Sequence, residues 1–79
     1  MYAELDKIVT ESEKILDEES RLDFLYDELE KLFGAQEFVL SQIACGYEGD
    51  FRIYVCVVSW VSEEGEPEQG IYRMYIKEE

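Results

Sequence analysis

Twenty carboxylates, two thiols and no imidazole set the limits on what this 79-residue chain could do chemically. Without histidine there is no imidazole base, no Ser-His-Asp constellation and no imidazole metal ligand. Cys45 and Cys56 are too few to close a tetrahedral zinc site within the chain. No glycine-rich loop leads into Lys-Ser or Lys-Thr to cradle a phosphate. Carboxylate pairs for acid–base work stay open in principle. With so many acids, however, some pairs fall close together by chance, and no pair is singled out. Glu63, Glu64, Glu66 and Glu68 could attract a divalent cation, but they lack the Asp-x-Asp-x-Asp-Gly spacing of a calcium loop. The expectation is a protein that is not an enzyme and uses no cofactor or metal.

Charge is the strongest compositional feature. Twenty acids against seven bases leave a net charge of −13. Such an excess repels nucleic-acid phosphates and anionic lipid, so neither is an expected direct partner. Electrostatics would steer the chain toward something basic, although acidic surfaces also serve plain solubility. Apolar residues make up 47% of the chain, enough for one modest core, and no run approaches the length of a membrane span. The opening Met1–Asp6 is acidic and polar, unlike a secretory signal, which leads to an expectation of the cytoplasm. Both cysteines fall in expected strands and read as reduced thiols packed like small hydrophobes.

The elements that must position these groups divide near Gly34. Leu5, Ile8, Val9, Ser12, Ile15 and Leu16 recur at helical spacing, as do Leu22, Leu25, Tyr26, Leu29, Leu32 and Phe33. The spacing predicts helices over about residues 2–17 and 21–33, with Gly34 as the stop. Ser20 with Asp23 resembles an N-cap and its reciprocal acid. A heptad also runs through the joint, so one continuous helix of about 48 Å is the alternative to a hairpin. Strands follow over about residues 38–45, 51–62 and 71–77, separated by two turn-rich segments, with Pro67 in the second loop. The fold class is therefore α+β: two N-terminal helices, or one long helix, packed on a three-stranded antiparallel meander, ααβββ, in a single domain.

Alternation divides the central strand into two sets. Phe51, Ile53, Val55, Val57 and Val61 form the purer one and are expected to face the helices. A register closing the second loop places Val61 opposite Tyr72 and Val57 opposite Ile76. Closing the first turn places Ala44 opposite Ile53 and Phe38 opposite Ser59. The outer face would then carry Val39, Ile43, Tyr54, Val58, Trp60 and Tyr75. A patch of this kind marks a partner interface or a homodimer, unless one helix crosses to cover it.

Two functions are carried forward. The first is a small inhibitor that occupies a basic, nucleic-acid-binding surface of a partner protein, its acids standing in for phosphates. Asp17, Glu18, Glu19, Asp23, Asp27, Glu28 and Glu30 on the helices and Glu63, Glu64, Glu66 and Glu68 in the loop would supply the charge. Tyr54, Trp60 and Tyr75 would supply aromatic anchors. In size and charge the chain resembles the nucleic-acid-mimicking anti-CRISPR proteins of phages and the immunity proteins that neutralise nuclease toxins. That likeness lies in composition, so no residue roles transfer with it. The second function is a structural or adaptor module that homodimerises or binds a partner through its sheet face.

Overall fold

The computed structural model describes residues 1–78. Helix α1 spans Tyr2–Ser12 and α2 spans Glu18–Phe33; strands β1 (Phe38–Glu48), β2 (Phe51–Val61) and β3 (Pro67–Lys77) form one antiparallel sheet in the order β1-β2-β3. This is the ααβββ arrangement, with the helices as an antiparallel hairpin on one face of the sheet. The strands, at 11 residues each, run about 36 Å. Neither helix is that long, and the molecule is elongated, 43 × 19 × 19 Å.

The hairpin breaks earlier than the apolar spacing suggests. Ser12 is fully buried and turns its hydroxyl back onto the Val9 carbonyl at 2.6 Å. The chain then leaves the helix through three backbone bonds that each reach back three residues, from Glu13 to Thr10, Lys14 to Glu11 and Ile15 to Ser12. The N-cap of α2 is Asp17 rather than Ser20. Its carboxylate accepts from the Ser20 backbone N–H at 2.9 Å and from the Ser20 hydroxyl at 2.8 Å. These bonds favour the charged form and hold the Asp17 carboxyl below its ordinary value. Gly34 ends α2 as expected, at φ +63°, with its N–H on the Glu30 carbonyl.

Arg21 fastens the joint to the sheet. It is completely buried. Its Nη1 donates to the carbonyls of Ile15 at 2.7 Å and Leu16 at 3.2 Å, and its Nε donates to Oε1 of Gln42 on β1 at 2.6 Å. The guanidinium lies 4.5 Å from the centre of the Tyr54 ring, a cation–π contact. None of the ion pairs among the described residues involves Arg21.

The core reverses the expected face of the sheet. Tyr54, Cys56, Val58 and Trp60 lie under the helices, packed with Leu5, Val9, Leu25, Leu29, Phe33, Leu40, Met74 and Ile76. Trp60 sits between Tyr2 and Phe33, with ring centres 5.5 and 5.3 Å away. The reason is register. Val61 pairs with Pro67, five residues from Tyr72, and Phe38 pairs with Trp60, one residue from Ser59. Both slips are odd, and an odd slip exchanges the two faces of a strand. The second loop is shorter than its acids suggest, because Pro67 opens an edge strand where its missing N–H costs no ladder bond. The first strand also runs on to Glu48 past a bulge between Ala44 and Gly46. Its turn is two residues long, with Gly49 at φ +59° as a type II′ hairpin requires.

Two outcomes follow from the joint. Arg21→Lys keeps the charge but not the planar fork, and should cost about 3 kcal/mol in urea unfolding through lost charge-assisted bonds. Asp17→Ala should lower the melting temperature by a few degrees at neutral pH. The depressed carboxyl stabilises the fold above its unfolded-state pKa and loses that contribution as pH falls through its folded-state value. The gap between wild type and Asp17→Ala should therefore close on acidification, as read by thermal melts across pH.

Candidate functional site

The uncovered side of the sheet is the one extended surface that the helices leave without a layer. Cross-strand partners share a face, so the register defines its rows. Val39, Ser59 and Gln69 form one row; Ser41, Val57 and Ile71 the next; Ile43, Val55 and Arg73 the third. Ile53 with Tyr75, and then Glu48, Phe51 and Lys77, complete the hairpin end, while Val61 and Pro67 close the other. Val39 is 66% exposed, Ile71 61%, Val61 56% and Ile43 53%. Ile53, Val55 and Val57 are half-buried only by their neighbours in the same sheet.

This row pattern corrects the expected outer face. Tyr54 and Trp60 are 4% and 7% exposed on the helix side, and Val58 is fully buried there. They therefore cannot act as exposed anchors. Phe51, Ile53, Val55, Val57 and Val61, read as core from their purity, are the surface. Val39, Ile43 and Tyr75 do lie on the outer face as expected.

The acids are segregated from this surface. Within the open rows, Glu48 at the hairpin end is the one carboxylate, and Arg73 and Lys77 are the cations. Glu19, Asp23, Asp27 and Glu30 follow one another along the exposed flank of α2, at steps of about 6 Å for each four residues. Glu18 opens that helix, and Glu28 lies on its other flank, 3.7 Å from Lys31. Asp17 is engaged as a cap. Glu63, Glu64 and Glu66 lie in the exposed loop between β2 and β3. Glu68 points to the helix side, where its carboxylate accepts the Tyr2 hydroxyl at 2.6 Å and holds that phenol above its ordinary value. The expected acids thus form two groups, a ridge on α2 and a loop, rather than one surface with the aromatics.

Reactive groups are few. Burial pushes the Cys56 thiol up to about 11, leaving it a neutral packing group at physiological pH. Cys45 was expected to pack like a hydrophobe, but it is exposed beside the bulge, and both cysteines are free thiols. No group of three or more Cys, Asp or Glu among the described residues is placed to hold a metal ion. An open groove of about 1110 Å³ wraps the Trp60 end of the sheet and takes Val39, Ser59, Val61 and Gln69 from the open face. No helix of the described residues is long and apolar enough to cross a membrane.

Compared with known proteins, the chain matches no family model, no curated protein and no solved structure. The site is therefore read from its geometry alone.

Sequence reasoning missed Arg21, Gln42 and Gln36, whose amide donates to the Val61 carbonyl. An arginine among apolar positions at helical spacing was the available signal for the first. The sole tryptophan tests the face assignment directly. Its emission should be blue-shifted, and Trp60→Ala should cost about 3–5 kcal/mol by urea unfolding. Val39→Thr, on an exposed edge position, should change stability by less than about 0.5 kcal/mol in dilute solution.

Proposed function

We propose that this chain is a non-catalytic protein-binding module that pairs with another apolar protein surface through its open sheet face. The observation that carries this reading is the contiguous run of Val39, Ile43, Ile53, Val55, Val57, Val61 and Ile71, uncovered by any helix and lined by β-branched side chains. Exposed apolar surface on this scale is costly for a monomer and is typical of an interface. An interface core depleted of carboxylates fits the same reading, since charges are under-represented where partners desolvate each other. The expected setting is the cytoplasm, where Cys45 and Cys56 stay reduced.

A second reading is favoured by the α2 ridge. Glu19, Asp23, Asp27 and Glu30 present one negative charge about every 6 Å, and each strand of B-DNA presents one about every 3.4 Å. In this reading the chain is an acidic inhibitor, anti-CRISPR-like or immunity-like, that occupies the basic nucleic-acid-binding surface of a partner. The ridge belongs to the helix layer and meets the open face only at the Trp60 end, where Glu30 lines one groove with Val39 and Val61, so positions 27, 57 and 71 separate the two readings.

A photo-crosslinking residue separates them. Replacing Val57 or Ile71 with p-benzoylphenylalanine and illuminating intact cells should give one dominant protein adduct. The same residue at Asp27 should give none. Adducts from position 27 to a basic nucleic-acid-binding protein, with none from 57 or 71, would replace the first reading by the second.

A further inference from the structure

Resting on the sheet-face reading, we propose that the occupant of the open face is a second copy of this chain, packed face to face about a twofold axis with its strand ends reversed.

Electrostatics exclude most other ways for two copies to meet. Each carries −13, and the helix layer and the β2–β3 loop hold most of the acids. Two helix layers brought together would oppose these charges at close range. Two open faces brought together keep both helix layers on the outside, with the two sheets about 10 Å apart between them. A strongly basic partner suits this face poorly, because Arg73 and Lys77 already sit on it.

Size supports the same occupant. Three strands of 11 residues make a face of about 36 by 14 Å, or about 500 Å² in projection. Two such faces together remove about 1,000 Å², the area at which a specific interface begins. The two sheets share one sequence and therefore one twist, so they can stack in the aligned manner of β-sandwiches.

Charge also chooses the direction. The end bearing the β2–β3 loop carries Glu37, Glu63, Glu64 and Glu66. The hairpin end is acidic too, with Glu13, Glu48, Asp50 and Glu78, but it also carries Arg52 and Lys77, whereas no lysine or arginine of the strands lies at the loop end. An axis lying in the face and across the strands sets each loop end against the partner's hairpin end. An axis along the strands would stack the two loops together. In the reversed arrangement Val57 meets Val55 of the second copy, Ser59 meets Ile53 and Val61 meets Phe51. This isologous pattern is closed and adds no further copies.

Sedimentation equilibrium across the micromolar range tests the inference. The mass should rise to twice the 9.3 kDa protomer. The dimer should tighten as NaCl is raised, because salt screens the repulsion between like-charged copies and leaves apolar burial intact. Val57→Lys should give a protomer with unchanged circular dichroism. If that variant fails to fold, Ile71→Lys on the edge strand should give the same result. A spin label at position 61 should read about 35 Å between copies. A protomer mass throughout, a dimer that loosens with salt, a folded lysine variant that stays dimeric, or a label distance near 10 Å would each overturn the proposal. A protomer mass with an adduct from position 57 to a different protein would leave the sheet-face reading standing and remove only the second copy. The absence of any adduct from positions 57 and 71 would remove both.

Discussion

The arrangement of this protein depends on one buried cation. Arg21 is sealed from solvent in a chain with an acid at every fourth position on average, yet its partners are two main-chain carbonyls, an amide side chain and a tyrosine ring. Removing a guanidinium from water is expensive unless its donors find acceptors. Here the helix joint supplies the acceptors of Ile15 and Leu16, which would otherwise be unsatisfied in a non-helical segment. Gln42 and Tyr54 supply the rest from the sheet. The helix hairpin therefore docks where these groups converge, and Tyr54 is drawn onto the covered face. Nη2 has no hydrogen-bond partner among the described residues, so the cluster leaves one buried nitrogen of the guanidinium unpaired.

With Tyr54 inside, its neighbours at alternate positions follow. Cys56, Val58 and Trp60 must share its side, and Ile53, Val55 and Val57 must face away. A central strand that is apolar on both sides ordinarily belongs to a sheet covered on both sides. This chain has one helix layer and a central strand suited to two. The open face is thus a direct result of sequence content exceeding what a single pair of helices can cover.

The element types and their order were legible because the spacing changes from helical to alternating at Gly34, and because Gly and acid clusters mark the turns. The register was not. Each set of β2 carries one plainly polar residue, Ser59 in one and Arg52 in the other, and aliphatic purity favoured the wrong one. Volume would have decided better: Tyr54 and Trp60 need deep surroundings, and α1 and α2 provide them through Tyr2 and Phe33. Pro67 looked like loop on its ring alone, although an edge strand tolerates it. The bulge at Cys45 leaves no mark in the spacing. The acids of α2 were legible as an exposed flank, and Glu68 was not, since its bond to Tyr2 spans most of the chain.

The strand borders carry a last consequence. On the outer side of β3, the Tyr75 amide is taken by the Glu13 carboxylate at 2.9 Å. At the other border, β1 itself is kinked by the bulge before Gly46 in its pairing with β2. A stray strand seeking to lengthen the sheet sideways meets an occupied donor on one border and a kink on the other. Both features disfavour lateral addition, the route to fibrils, while the broad side of the sheet stays apolar and uncovered. In the proposed pairing, copies associate by stacking, which terminates, and not by edgewise extension, which does not.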